Sequence, residues 1–269
     1  MPPDRSSQAQ RDLIFVRKRR MGLPAAFSIG DSWFDYPIYE NVIDLIDDMD
    51  FFAIKRHELS GTLIHQVIAQ ISGPEALAPF GAHTLFVSGG GNDIVEKSWI
   101  SQLFLDDVGQ PVRELLDAPH WDAKIEFFQE TFGELVQAHT AVGTAVVVHG
   151  YDWLIPTGDG VTFDDLWRGK PWVRPALLDA GIFNPARQNA LGRMIVDDFN
   201  DRVMAPLADG SRFADGRLKV TYVDCRGAIT PASEWANELH PTPTGFEQVA
   251  ARFVPMLPDL LHPPGAIIA

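Results

Sequence analysis

Apolar residues along this chain fall into two kinds of segment that alternate. Five short runs, at 25–29, 51–55, 84–88, 144–149 and 218–223, are nearly continuous in apolar residues, as expected of strands covered on both faces. Between them, 38–49, 62–71, 121–141 and 185–207 place apolar residues three and four apart. In the first of these, Val42, Leu45, Ile46 and Met49 share one helical face. A last helix is predicted over 246–257. Strands separated by helices imply a parallel sheet, so the predicted fold class is α/β: a three-layer α/β/α sandwich around a five-stranded parallel sheet. Ligands of such open sheets bind at the carboxyl ends of the strands.

One connection breaks the rhythm. From 151 to 183 the chain is rich in Gly, Pro and Asp and has no helical pattern longer than about two turns. It nevertheless holds Tyr151, Trp153, Phe163, Trp167, Trp172 and Phe183, six aromatics in 33 residues where the whole chain has 10%. Loops beyond roughly 12 to 15 residues are uncommon and often functional. The segment reads as a lid or pocket wall, or as a surface excursion anchored by its rings. Without repeats or linkers, the chain divides into a basic arm at 1–22 and one domain at 23–269, with this insertion at about 151–184.

Composition narrows the function classes. With 46% hydrophobic residues over 269 positions the chain can fill a sizeable core, and no apolar run approaches the roughly 20 residues of a membrane-spanning helix. Net charge is −14, but residues 1–20 carry six Lys or Arg against two Asp, so that segment is +4 and the remainder −18. An acidic body disfavours nucleic acid as a partner. The arm, ending in Arg17, Lys18, Arg19 and Arg20, reads as a solvated tail, with nucleic acid or acidic lipid as its alternative contacts. The early basic cluster follows its short apolar stretch, the reverse of a secretory signal, and the lone Cys225 forms no internal disulfide. Both fit a cytoplasmic location.

Candidate chemistry gathers at the predicted strand ends. Gly30-Asp31-Ser32-Trp33 follows the first strand, Ser60-Gly61-Thr62 the second, and Ser88-Gly89-Gly90-Gly91-Asn92-Asp93 the third; Asn237-Glu238-Leu239-His240 precedes the last helix. A serine hydroxyl needs a base and donors for a developing oxyanion, and these segments hold both: an imidazole at His240, an amide at Asn92, and a backbone N–H at Gly61. The glycine run lacks the spacing of a dinucleotide or phosphate loop, since Ile94 stands where a last glycine would be. The histidines are scattered, cysteine pairs are absent, and Asp159, Asp164 and Asp165 do not have calcium-loop spacing, so neither metal nor cofactor is expected. His65, His139 and His149 read as structural.

Taken together, these segments resemble the blocks of the SGNH hydrolases, also called GDSL lipases or esterases. Gly30, Asp31 and Ser32 match the first block, Gly61 the second, Gly90, Gly91, Asn92 and Asp93 the third, and His240 the histidine of the fifth. The resemblance implies a flavodoxin-like sheet of order 2-1-3-4-5 and a carboxylic ester hydrolase acting on a small-molecule ester through an acyl-enzyme. Ser32 would be the nucleophile and His240 its general base. The oxyanion hole would come from the N–H groups of Ser32 and Gly61 and the side chain of Asn92. Trp33, Tyr36 and Trp153 are the expected pocket walls.

Three residues before His240 the family usually has aspartate, where this chain has Asn237. Its carbonyl can orient an imidazole but cannot balance an imidazolium, and its amide could equally hold the other tautomer. Glu238 is a carboxylate next door, although a neighbour in such a turn normally points elsewhere, and Asp224, Asp152 and Asp35 lie near strand ends. The expectation is a Ser–His pair oriented by Asn237 or by a backbone carbonyl. Two alternatives stand beside hydrolysis: an acyltransferase using the same acyl-enzyme, and a non-catalytic binding protein that keeps the fold without its acid.

Overall fold

Five strands form where the apolar runs predict them: β1 Ala25–Ile29, β2 Ala53–Arg56, β3 Thr84–Val87, β4 Ala145–His149 and β5 Val220–Val223. The computed structural model describes residues 5, 7–161, 169–208, 212–214 and 216–261; Phe163, Asp164, Asp165 and Trp167 lie outside them. Each strand pairs in parallel with its neighbours, in the order β2-β1-β3-β4-β5. Helices cover both faces: Val42–Asp48 packs with Pro243–Phe253, and Ile64–Ile68 packs with Ala118–Ala141, which also contacts β4. Phe27, Ile29, Leu85, Phe86 and Val146 are consequently buried. Truncating a phenylalanine at such a position to alanine costs about 3–5 kcal/mol, which is why both faces of these strands must stay apolar.

Helix boundaries follow capping chemistry more than periodicity. The helix expected from 38 begins at Val42, because Asn41 Oδ1 accepts the N–H groups of Ile43 and Asp44 while Asp44 accepts the N–H of Asn41. The last helix starts early, at Pro243, with Thr242 Oγ1 accepting the Gly245 N–H. The helix predicted over 185–207 is α-helical over Pro185–Phe199 and again over Ala205–Leu207. It widens into a π turn at Asn200–Met204, and there the buried Asn200 side chain donates to the Tyr151 carbonyl at 2.9 Å.

The N-terminal segment departs in part from its reading as a solvated tail: Arg17, Arg19 and Arg20 are exposed, but other residues of the segment pack on the body. Gln8–Arg20 is a helix beside β2. Phe15 is buried edge-on to Phe80 at 5.7 Å, Lys18 reaches Asp47 and Asp50 at 3.0 Å each, and Arg11 pairs with Asp35. The positive arm thus neutralises carboxylates of the acidic body, and that long-range pairing outweighs the weak amphipathic pattern of the segment.

Strand order reverses between β1 and β3, whose connections leave the sheet in opposite directions and open a crevice at their carboxyl ends. Ser32 follows β1 and Asn92 follows β3 at this place.

Candidate active site

Ser32 sits in a tight turn at the end of β1, where the N–H groups of Phe34 and Asp35 both donate to the Asp31 carbonyl at 3.1 and 2.9 Å. The turn runs against β3: a Cβ on Gly30 would lie 2.9 Å from Ser88 Cβ and 3.1 Å from Phe34 Cβ, so only glycine fits there. Asp31 anchors the turn. One carboxylate oxygen accepts Ser88 Oγ at 2.7 Å and the Trp33 N–H at 3.1 Å, and the other accepts the Tyr151 hydroxyl at 2.8 Å.

Two aromatic residues from the serine loop hold the distant histidine loop in place. Trp33 Nε1 donates to the Leu239 carbonyl at 2.9 Å, and the Tyr39 hydroxyl to the Pro241 carbonyl at 2.6 Å. His240 lies between those two anchored residues, and its Nε2 comes within 2.8 Å of Ser32 Oγ.

The other ring nitrogen, Nδ1, lies 3.0 Å from Asn237 Oδ1. That same oxygen accepts the backbone N–H groups of His240 at 2.9 Å and Leu239 at 3.0 Å. Only a carbonyl oxygen can accept them, so the amide cannot flip, and Nδ1 must carry the ring proton. Nε2 is left as an acceptor for the serine hydroxyl. Asp35, Asp152, Asp224 and Glu238 do not take this place. Asp35 is paired with Arg11 and the Ser60 N–H, and Asp224 with Arg226. Asp152 accepts the N–H groups of Trp153, Gly227 and Ile229, and Glu238 binds the backbone of the excursion.

His240 is buried. The Tyr36 ring stacks on it at 4.5 Å, and the Trp172 ring meets it edge-on at 5.7 Å. Desolvation alone lowers its pKa from 6.5 to about 3, so at neutral pH the imidazole is uncharged and able to accept a proton. Burial also raises Asp93, to about 6, although its carboxylate accepts the Ile64 N–H at 2.8 Å and so caps the helix Ile64–Ile68.

Asn92 faces the same cleft as Ser32 and His240. Its Nδ2 donates to the Thr62 carbonyl at 3.0 Å, which ties it to the turn containing Gly61. Gly61 has a positive φ of 78° and stands exposed outside the cleft lining, with its N–H unpaired among the described residues. Gly91 is fixed from the other side, its N–H donating to the Tyr151 hydroxyl at 3.1 Å.

The cleft is small and open at its mouth, with Ile94, Val95, Leu154, Ile195 and Val196 as its apolar wall. Of the three aromatics expected to line it, Trp33 does. Tyr36 instead lies behind the histidine, its hydroxyl accepting from Asn237 Nδ2 at 3.4 Å. Trp153 lines an adjoining groove, with its Nε1 held by Asp197 at 2.8 Å and Arg193 stacked on its face at 4.4 Å. Aromatic neighbours of a nucleophile are as readily used to brace the site as to wall the pocket, and sequence adjacency alone does not separate the two. Sequence reasoning missed Trp172, the Asp31–Ser88–Tyr151 anchor and the aliphatic wall from the helix Pro185–Phe199. The cluster of aromatics in the excursion was the one available signal.

No family model and no curated protein matches this chain. Solved structures do. A protein from Slackia heliotrinireducens described as a putative SGNH hydrolase is 12% identical over 87% of this chain and 98% of its own, with a TM-score of 0.51. An extracellular lipase from Streptomyces rimosus is 14% identical over 88% and 98%, TM-score 0.46. A GDSL-like lipase from Bacteroides thetaiotaomicron is 12% identical over 94% and 98%, TM-score 0.45.

Proposed function

The chain has the SGNH-hydrolase fold, and we propose that it is a serine esterase in which Ser32 is the nucleophile and His240 its general base. The observation that carries this reading is the 2.8 Å contact between Ser32 Oγ and His240 Nε2, in an imidazole whose tautomer Asn237 holds. Ser32 attacks the acyl carbonyl as its proton passes to Nε2, and the tetrahedral oxyanion accepts from the Ser32 N–H and the Asn92 amide; the Gly61 N–H, exposed and outside the cleft lining, reaches it only if the turn holding Gly61 closes on the bound ester. His240 then returns the proton to the leaving alcohol. A water molecule, activated in the same way, releases the acid from Ser32.

In the absence of a carboxylate partner, the oxyanion is the charge that balances the imidazolium. This places a heavier demand on Asn92 than in a site with a full triad. The narrow aliphatic cleft suits a short acyl chain.

Short p-nitrophenyl esters test the reading. Turnover by wild type, abolished in Ser32→Ala and in His240→Ala, is the expected result. Folded protein that binds esters without turning them over, and binds equally well as Ser32→Ala, would point to the non-catalytic reading. Acyl transfer to an added alcohol in preference to water would point to the transferase.

A further inference from the structure

Glu238 stands beside Asn237, two residues before His240, yet it turns away from the imidazole. It is wholly buried, and both of its oxygens are used. One accepts the N–H groups of Gly158 and Arg174 at 3.1 Å each, and the other those of Trp172 and Val173 at 2.7 Å each. Among the described residues no basic side chain pairs with it. These four donors come from the two legs of the excursion, 157–161 and 169–174. The legs are also joined by the Gly169 N–H donating to the Val161 carbonyl at 2.7 Å and by the Arg174 guanidinium donating to the Thr157 carbonyl. Trp172, whose N–H is one of the four, sets its ring against His240.

We propose that Glu238 is a positioning residue: its carboxylate straps both legs of the excursion to the catalytic loop, so that Trp172 covers His240 and keeps water from it. The proposal rests on the esterase reading for its bearing on catalysis, but the strap itself does not depend on turnover. A carboxylate is required because it alone offers acceptor sites for four N–H groups. In a glutamine, the oxygen could serve two, and the amide NH₂ would face the others donor to donor. The groups around His240 leave desolvation as the dominant influence on its charge. Ser32 and Tyr36 reach it from the β1 loop, Asn237 from its own loop and Trp172 from the excursion. The carboxylates of Asp31 and Asp152, which line the same cleft, are occupied by other donors.

The test compares wild type, Glu238→Gln, Glu238→Asp and Trp172→Ala. The His240 imidazole is titrated by NMR, with His240→Ala to assign it, and the excursion is probed by limited proteolysis. Glu238→Gln should open the excursion to protease and raise the His240 midpoint toward 6.5, and kcat/KM for a short ester should fall by roughly 10- to 100-fold. Glu238→Asp, which keeps the carboxylate, should restore part of all three. Should Glu238→Gln fail to fold, Trp172→Ala decides, because it leaves the strap and removes the cover: its His240 midpoint must rise as well. An excursion that opens in Glu238→Gln while the His240 midpoint stays put overturns the proposal, as does an unchanged midpoint in Trp172→Ala. Wild type without ester turnover would count against the esterase reading, while the titration would still decide the strap.

Discussion

Asn237 holds His240 through a 3.0 Å hydrogen bond from ring Nδ1 to its side-chain oxygen, and two backbone N–H groups on that oxygen prevent the amide from flipping. In the proposed mechanism an asparagine here supplies the orienting half of a triad acid's work and omits the charge-balancing half.

Substitution at Asn237 separates those halves. Asn237→Ala removes the orienting acceptor, and kcat/KM should fall by about 10- to 100-fold, well short of the loss in Ser32→Ala. Asn237→Asp keeps the three accepted hydrogen bonds and adds a negative charge beside the ring. It should raise the His240 pKa and move the acid limb of the pH–rate profile upward while activity is kept or improved. A loss in Asn237→Ala equal to that in Ser32→Ala would contradict a two-residue core.

Asn92→Ala removes the proposed oxyanion donor and also the link from Asn92 to the Thr62 carbonyl beside Gly61. The expected result is a fall in kcat of about 10²- to 10³-fold, with KM changing far less, as steady-state kinetics on one short ester would measure.

The depressed His240 pKa has two consequences with pH. Its base form persists down to about 3, so the acid limb of kcat/KM should lie well below 6.5, with activity still present at pH 5. For stability, the folded pKa lies below the unfolded value. Between 3 and 6.5 the unfolded chain therefore binds the proton that the folded one excludes. The contribution is complete above 6.5 and lost as pH falls toward 3. Urea unfolding at pH 7 and pH 5 should show a decrease in stability that is smaller in His240→Gln.

How far the sequence discloses the site depends on the range of each interaction. Ser32, Asn92 and His240 stand at strand ends or before a helix, and strand ends can be read from apolar runs, so the crevice between β1 and β3 could be foreseen. The role of Asn237 could be posed but not decided, because its amide orientation depends on backbone N–H groups whose direction only the folded turn sets. The strap at Glu238 was beyond reach: its four donors lie 64 to 80 residues away. The same holds for the N-terminal helix, whose basic residues look solvated until Asp35 and Asp47 are brought beside them. Tyr36 was placed in the pocket because it follows the serine, whereas the fold turns its ring onto the face of His240.

The most direct measurement is to treat wild type, Ser32→Ala and His240→Ala with a fluorophosphonate and locate any adduct by peptide mass spectrometry. One adduct on Ser32 is expected in wild type, none at that position in Ser32→Ala, and greatly slowed labelling in His240→Ala. Folded wild type that remains unlabelled, or labelling that persists elsewhere and is indifferent to Ser32→Ala, would contradict Ser32 as the nucleophile.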